Sequence, residues 1–200
     1  TRYISVTGVQ TCALPILYSH CLALGVIPQQ WRWSILVAIE KVPGVASLAG
    51  LRPLRLLEVS NKAVMCIVKT RLKDALEEAQ LFHAAQMAFR AERYCALTAM
   101  NVVLASGDAW RYRRDLHVVT LDIRKAYDSV VRTLGKAAAL RRMGVPLRVV
   151  EFFMEVDRRN KTTVRTFWDV LFEDERFFEA LRGFGQGAAD SPLLWNIKSE

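Results

Sequence analysis

The sequence predicts an α+β domain, and three observations carry that expectation. Short runs of β-branched and aliphatic residues, "WSILVAIEK" and "LHVVTLD", have strand length and composition. Longer stretches repeat apolar residues at helical spacing. The two kinds of segment are mixed along 200 residues that are 52% hydrophobic and 24% charged, with no repeat or low-complexity linker between them. That is enough apolar material for one or two cores.

Taken in order, the opening "TRYISVTGVQTCALPI" has no basic region leading into a long apolar core, so it is neither a signal nor a transit peptide. Val6 to Ile16, "VTGVQTCALPI", resembles the in-frame translation of a sequencing-library adapter. Residues 1–16 are therefore expected to be non-native, with the natural protein running upstream of Leu17. "LYSHCLALGVIP" reads as a short helix stopped by Gly25 and Pro28. "WSILVAIEK" reads as a strand ending at Glu40 and Lys41, and "VPGVASLAG" as a turn. "LRPLRLL" continues in extended form, because Pro53 biases Arg52 away from helix.

From Ser60 onward Val64, Val68, Leu72, Ala75, Leu76 and Ala79 keep helical spacing, with Ser60 as the expected cap. A second helix is predicted over Ala91 to Ala109. "LHVVTLD" is nearly all apolar before Asp122 and predicts a strand covered on both faces. Asp128 then stands where a helix N-cap belongs, opening a helix that Gly144 closes with Pro146 beyond. A further helix is expected from Leu147 to about Asp157, strands within "KTTVRTFWDVLF" and "ERFFEALRGF", and a last helix in "ADSPLLWNIKSE".

The net charge is +8, which suits a polyanionic partner and equally a merely soluble basic protein. No stretch of about 18 apolar residues exists, so no membrane span is expected. Cys12, Cys21, Cys66 and Cys95 form no C-x-x-C pair, and His20, His83 and His117 are scattered. These cysteines read as reduced core thiols of an intracellular protein, nuclear or cytoplasmic. Nothing in the chain specifies an oligomeric state.

Asp122 raises the chemical question. An ionised carboxylate at the end of a buried strand needs a cation or a metal ion. On this segment alone a surface ion pair with Arg124 or Lys125 is the better explanation, ahead of a metal.

Four further stretches weigh on that choice. "LDIRKAYDSV" resembles the first palm motif of reverse transcriptases, in the D-x-x-K-A-[FY]-D form of non-LTR retrotransposons and group II introns. "GFGQGAADSPLLWNI" (Gly183 to Ile197) resembles their second palm motif. "PQQWRWSILVAIEK…GLRPLRLLEVSNKAVMCIVKTRLKDAL" resembles the fingers region, and "QMAFR" its Q-x-G-F-R with Ala88 for Gly. The likeness runs in family order from about Leu17 to the end. It departs at Arg182–Gly183–Phe184–Gly185, where G-[VI]-[RP]-Q is usual, and at Trp195, where Phe is common.

The resemblance implies the fingers and partial palm of a right-hand polymerase, helices packed on a small, mostly antiparallel sheet. Fingers would occupy 17–112 and partial palm 113–200. It implies RNA-directed DNA polymerase chemistry with an RNA template, a DNA primer, dNTPs and two Mg²⁺ ions in the complete enzyme. Asp122 would be a catalytic metal ligand, with the Ile123 carbonyl as another hard oxygen. Lys41 and Arg52 would grip the triphosphate. Tyr127 would sit beneath the incoming sugar and exclude a ribose 2′-hydroxyl, or else simply pack in the core. Gln186 and Gly187 would lie against the nucleotide, and Arg124 and Lys125 near the nucleic-acid backbone.

The family's third palm motif, an aromatic–Ala–Asp–Asp turn, does not occur in the 200 residues. The polypeptide as it stands is therefore expected not to polymerise DNA. Competing readings are a non-catalytic nucleic-acid-binding remnant of such an element, and an unrelated basic helical interaction domain. A maturase, telomerase or viral RNA polymerase relationship also stays open.

Overall fold

The computed structural model describes residues 8–44, 47, 50–165, 177–184 and 188–199. Helix α1 spans Gly8–Leu24, and Gly25 ends it with φ +68°, a left-handed conformation that costs glycine little. A 3₁₀ turn, Gln29–Arg32, then buries Trp31 and delivers the chain into strand β1, Trp33–Glu40. Strand β2, Leu51–Leu57, returns antiparallel beside it in a register that sets Ile39 opposite Arg52. Strand β3, Lys161–Arg165, lies parallel on the other side of β1, giving the order β2-β1-β3. The antiparallel ladder is the longer, and β2 is an edge strand. That explains how Pro53, which has no N–H to donate, sits within it.

Helix α2, Val59–Glu78, is capped by Glu58 rather than Ser60. The Glu58 carboxylate accepts from the Asn61 N–H (2.8 Å) and from the Ser60 hydroxyl (2.9 Å), so Ser60 serves the cap at second hand. Burial resists ionisation of Glu58, but these donors together hold its pKa below the ordinary carboxylate value. Helix α3, Cys95–Arg111, covers the predicted stretch but buries no residue.

The largest departure follows it. Residues 114–123 form no strand, and Val119 and Leu121 are 79% and 91% exposed. A strand exists only when a neighbour accepts its backbone hydrogen bonds. Among the described residues none lies alongside "LHVVTLD". The apolar run was a sound signal of strand propensity but could not name a partner.

The helix expected from Asp128 is two helices. A single turn, α4, spans Ala126–Ser129, and α5 spans Arg132–Arg142, with Val130 and Val131 extended between them. Asp128 therefore lies inside α4 and is not its cap; Lys125, at φ +51°, holds that position. Val130 interrupts the helix by pointing into the core at 3% exposure, its carbonyl accepting from the Gly183 N–H (2.7 Å). Helix α6, Leu147–Asp157, matches its predicted bounds, as does α7, Ser191–Ser199, within the last stretch. Phe178 and Arg182 make only isolated bridges, to Thr162 and Val131, in place of a strand over 177–184; the rest of both expected strands, residues 166–172 and 175–176, lies outside the described residues.

The core gathers Val64, Leu140, Val150, Phe153, Leu194 and Ile197 from α2, α5, α6 and α7. Cys21 joins it, whereas Cys66 and Cys95 lie on exposed helix surface, contrary to the expectation of core thiols; all three are unpaired thiols. No described helix is long and apolar enough to cross a membrane.

Phe153 is fully buried and meets Phe152 edge to face at 6.5 Å. Phe153→Ala should cost about 3–5 kcal/mol in urea unfolding, whereas Leu121→Ala should change stability by less than about 0.5 kcal/mol. Equal losses at the two positions would contradict the exposure described for residues 114–123.

Candidate active site

The β1–β2 hairpin brings two of the expected site residues together. Lys41 follows β1 directly, its N–H donating to the Gly50 carbonyl (3.0 Å), and Arg52 faces Ile39 across the ladder. Opposed residues in an antiparallel pair share a face, and side chains alternate. Lys41 and Arg52 thus lie at the same end of the hairpin, both exposed.

Asp122 and Ile123 lie in the irregular exposed stretch before α4, so the carboxylate does not close a buried strand as expected. Arg124 and Lys125 are exposed beside it. Gln186 and Gly187 lie outside the described residues. Tyr127 is half-buried with its ring 5.6 Å from that of Trp195, and its carbonyl accepts from the Phe184 N–H (2.9 Å). Burial pushes the Tyr127 phenol above its ordinary pKa. Asp122 is thus followed, five residues on, by an aromatic that physically joins the first palm-like motif to the second.

That junction is denser than the sequence suggested. Arg132, at the start of α5, donates through its backbone N–H to the Leu181 carbonyl (3.2 Å) and through Nε to that of Gly183 (2.9 Å). Lys136, one turn on, places Nζ 2.5 Å from Asp157 Oδ2 and 3.9 Å from Asp190 Oδ2. Both cations are about 95% buried. Arg55 of β2 completes the group, its Nε donating to Ser34 Oγ (2.8 Å) and Nη2 to Asn160 Oδ1 (3.1 Å). Desolvation, with the Arg132 guanidinium adding to it, pulls Arg55 down to about 10. Asp190 goes the other way. Desolvation raises its pKa, against the pull of Lys136. These groups line a cavity of about 30 Å³, room for a single water.

A second clamp ties "QMAFR" to α7. Gln86 Nε2 donates to Asn196 Oδ1 (2.8 Å), and Asn196 Nδ2 donates to the Ala88 carbonyl (2.7 Å). Arg90 forks onto Glu77 at 2.7–3.2 Å and holds its pKa low. Phe89, not Ala88, takes the left-handed conformation (φ +57°), so Ala88 in place of Gly brings no positive-φ strain.

Among the described residues no three His, Cys, Asp or Glu converge as a metal site. Asp122 offers one exposed hard-oxygen ligand, which is less than a two-ion site requires. The described residues alone do not close such a site.

The comparisons with known proteins decide the family. The family model described as "Reverse transcriptase (RNA-dependent DNA polymerase)" matches residues 39–199. The chain belongs to the reverse transcriptase family. It is 31% identical over 180 residues to the "Retrovirus-related Pol polyprotein from type-1 retrotransposable element R2" of Nasonia vitripennis. That alignment covers 90% of this chain and 17% of the relative, so the chain spans about one sixth of that polyprotein. In this reverse transcriptase chain Arg55, Arg132, Lys136, Asp157 and Asp190 are the residues that sequence reasoning missed. Their only signal was charge set among apolar residues, as in "GKAAAL", which does not specify a partner.

Two outcomes test the buried cluster. Lys136→Met leaves two carboxylates short of a cation and should cost about 3–5 kcal/mol in chemical denaturation. The folded chain holds the Asp190 proton more tightly than the unfolded chain does. Stability should therefore fall as pH rises from the ordinary aspartate range through the raised value. Asp190→Asn should flatten that part of the profile, and an unchanged slope would show that Asp190 is not its source.

Proposed function

We propose that the chain is the fingers and partial palm of an RNA-directed DNA polymerase from a retrotransposon-like element. The longer protein would add dNTPs to a primer 3′-hydroxyl on an RNA template. The single observation that carries this reading is the reverse transcriptase match across 39–199, which contains the hairpin's turn and second strand and both palm-like motifs in order.

In that reading Lys41 and Arg52, at one end of the hairpin, take the triphosphate: Lys41 as a mobile point charge, Arg52 as a planar fork. Asp122 and the Ile123 carbonyl contribute hard oxygens to a Mg²⁺ site that other carboxylates must complete. When bound, the paired ions would lower the hydroxyl pKa and neutralise the leaving pyrophosphate. Tyr127 is the ring beneath the sugar, its tilt fixed by Trp195. Gln186 and Gly187 approach the nucleotide, and Arg124 and Lys125 face the nucleic-acid backbone.

The 200-residue polypeptide should show no primer extension with dNTPs and Mg²⁺, since it supplies no Asp–Asp pair. A longer protein carrying the third motif should extend primers, and Asp122→Ala should reduce that by roughly a thousandfold or more. Extension that survives Asp122→Ala would remove the metal-ligand assignment. Extension by the 200 residues alone would remove the inactivity.

A further inference from the structure

We propose that the turn closing α3, Trp110–Arg111–Tyr112–Arg113–Arg114, is a contact site for single-stranded nucleic acid. It is separate in sequence from the residues assigned to catalysis and does not depend on the polymerase reading. Five residues carry three guanidiniums and two large aromatics. Trp110 is 86% exposed, and Tyr112 is 59% exposed. A soluble surface seldom leaves an indole this bare without a use for it.

The arrangement is held in place. Tyr112 N–H donates to the Asp108 carbonyl (2.9 Å), Arg113 N–H to that of Trp110 (3.3 Å), and Arg114 N–H to that of Ala109 (2.8 Å). With Arg113 at φ +51°, this is a Schellman closure, so the cluster rides on a hydrogen-bonded turn and not on a fraying end. Arg111 and Arg114 lie 5.7 and 5.6 Å from the Tyr112 ring centroid. A guanidinium stacked on a ring keeps its N–H edge free for phosphate oxygens. Trp110 adds an open π-face.

Single strands fit this chemistry better than duplexes do, because their unpaired bases can leave the stack and lie on an indole. Asp108 and Asp115 flank the turn and are exposed, so the local excess over 108–115 is three guanidiniums less two carboxylates, one positive charge. Charge alone would bind weakly there, and stacking must share the work. An apolar protein partner fits less well, since cations border both aromatics.

The test is fluorescence anisotropy of a labelled oligouridine titrated with the 200-residue chain at several salt concentrations. Trp110→Ala should raise Kd about tenfold with little change in salt slope, and Trp110→Phe should recover most of the loss. Arg111→Ala with Arg114→Ala should reduce the slope of log K against log salt by about 1.4, two phosphates' worth on a single strand. Arg159→Ala, an exposed charge elsewhere, should change Kd by far less than Trp110→Ala does. All these positions are exposed, and unchanged circular dichroism would confirm that folding is intact. Failure of the wild-type chain to bind oligouridine, or equal affinity in Trp110→Ala, overturns the proposal. So does self-association that Trp110→Ala abolishes while RNA stays unbound, which would assign the turn to a protein contact.

Discussion

Five buried charges hold this chain's two halves in one frame. Arg55 comes from β2, Arg132 and Lys136 from α5, Asp157 from the end of α6, and Asp190 from the entry to α7. A buried charge is tolerated only when its partners are in place, and removing one partner costs more than the pair contributes. No one of these elements can therefore shift without stranding a charge carried by another. Arg55 extends the frame, since its bonds to Ser34 and Asn160 reach β1 and the start of β3. The stretches expected as fingers and palm meet here and share the β2-β1-β3 sheet.

The family pattern and the geometry speak to different levels. Family membership rests on motifs in order, which a linear reading detects well. Geometry adds what the motifs do to each other. Asn196, in the second motif's helix, reads both Gln86 and the Ala88 carbonyl, so the Q-x-x-F-R segment acts as a brace on α7. Arg90 in that segment spends its guanidinium on Glu77 and on the His83 and Gln86 carbonyls. A nucleic-acid contact through Arg90 would have to compete with those bonds.

Periodicity made α2, α6 and α7 legible, because each buries one stripe. The hairpin was legible from the β-branched run of β1, a glycine-containing turn and the extended bias that Pro53 places on Arg52. Other features were not. The α4–α5 break depends on Val130 docking in the core, a tertiary preference that local helix propensity cannot report. The cap on α2 depends on a glutamate reaching back, where a serine looked sufficient. The buried cluster joins residues up to 135 positions apart, Arg55 to Asp190, and no spacing rule connects them.

The carboxylate at position 122 shows what a motif cannot guarantee. Metal-assisted transfer needs its ligands held to about half an ångström. Packing supplies that precision, and residues 114–123 have almost none. Downstream the backbone is well anchored, with Tyr127 against Trp195 and Phe184 bonded to the Tyr127 carbonyl. Upstream, Val118, Val119 and Leu121 face solvent. The site is thus positioned from one side only. Any reverse transcriptase activity through Asp122 requires a second surface that covers this apolar run, pairs its backbone and fixes the carboxylate. Organising the Asp122 carboxylate and burying "LHVVTL" are then one event, with the same physical cause.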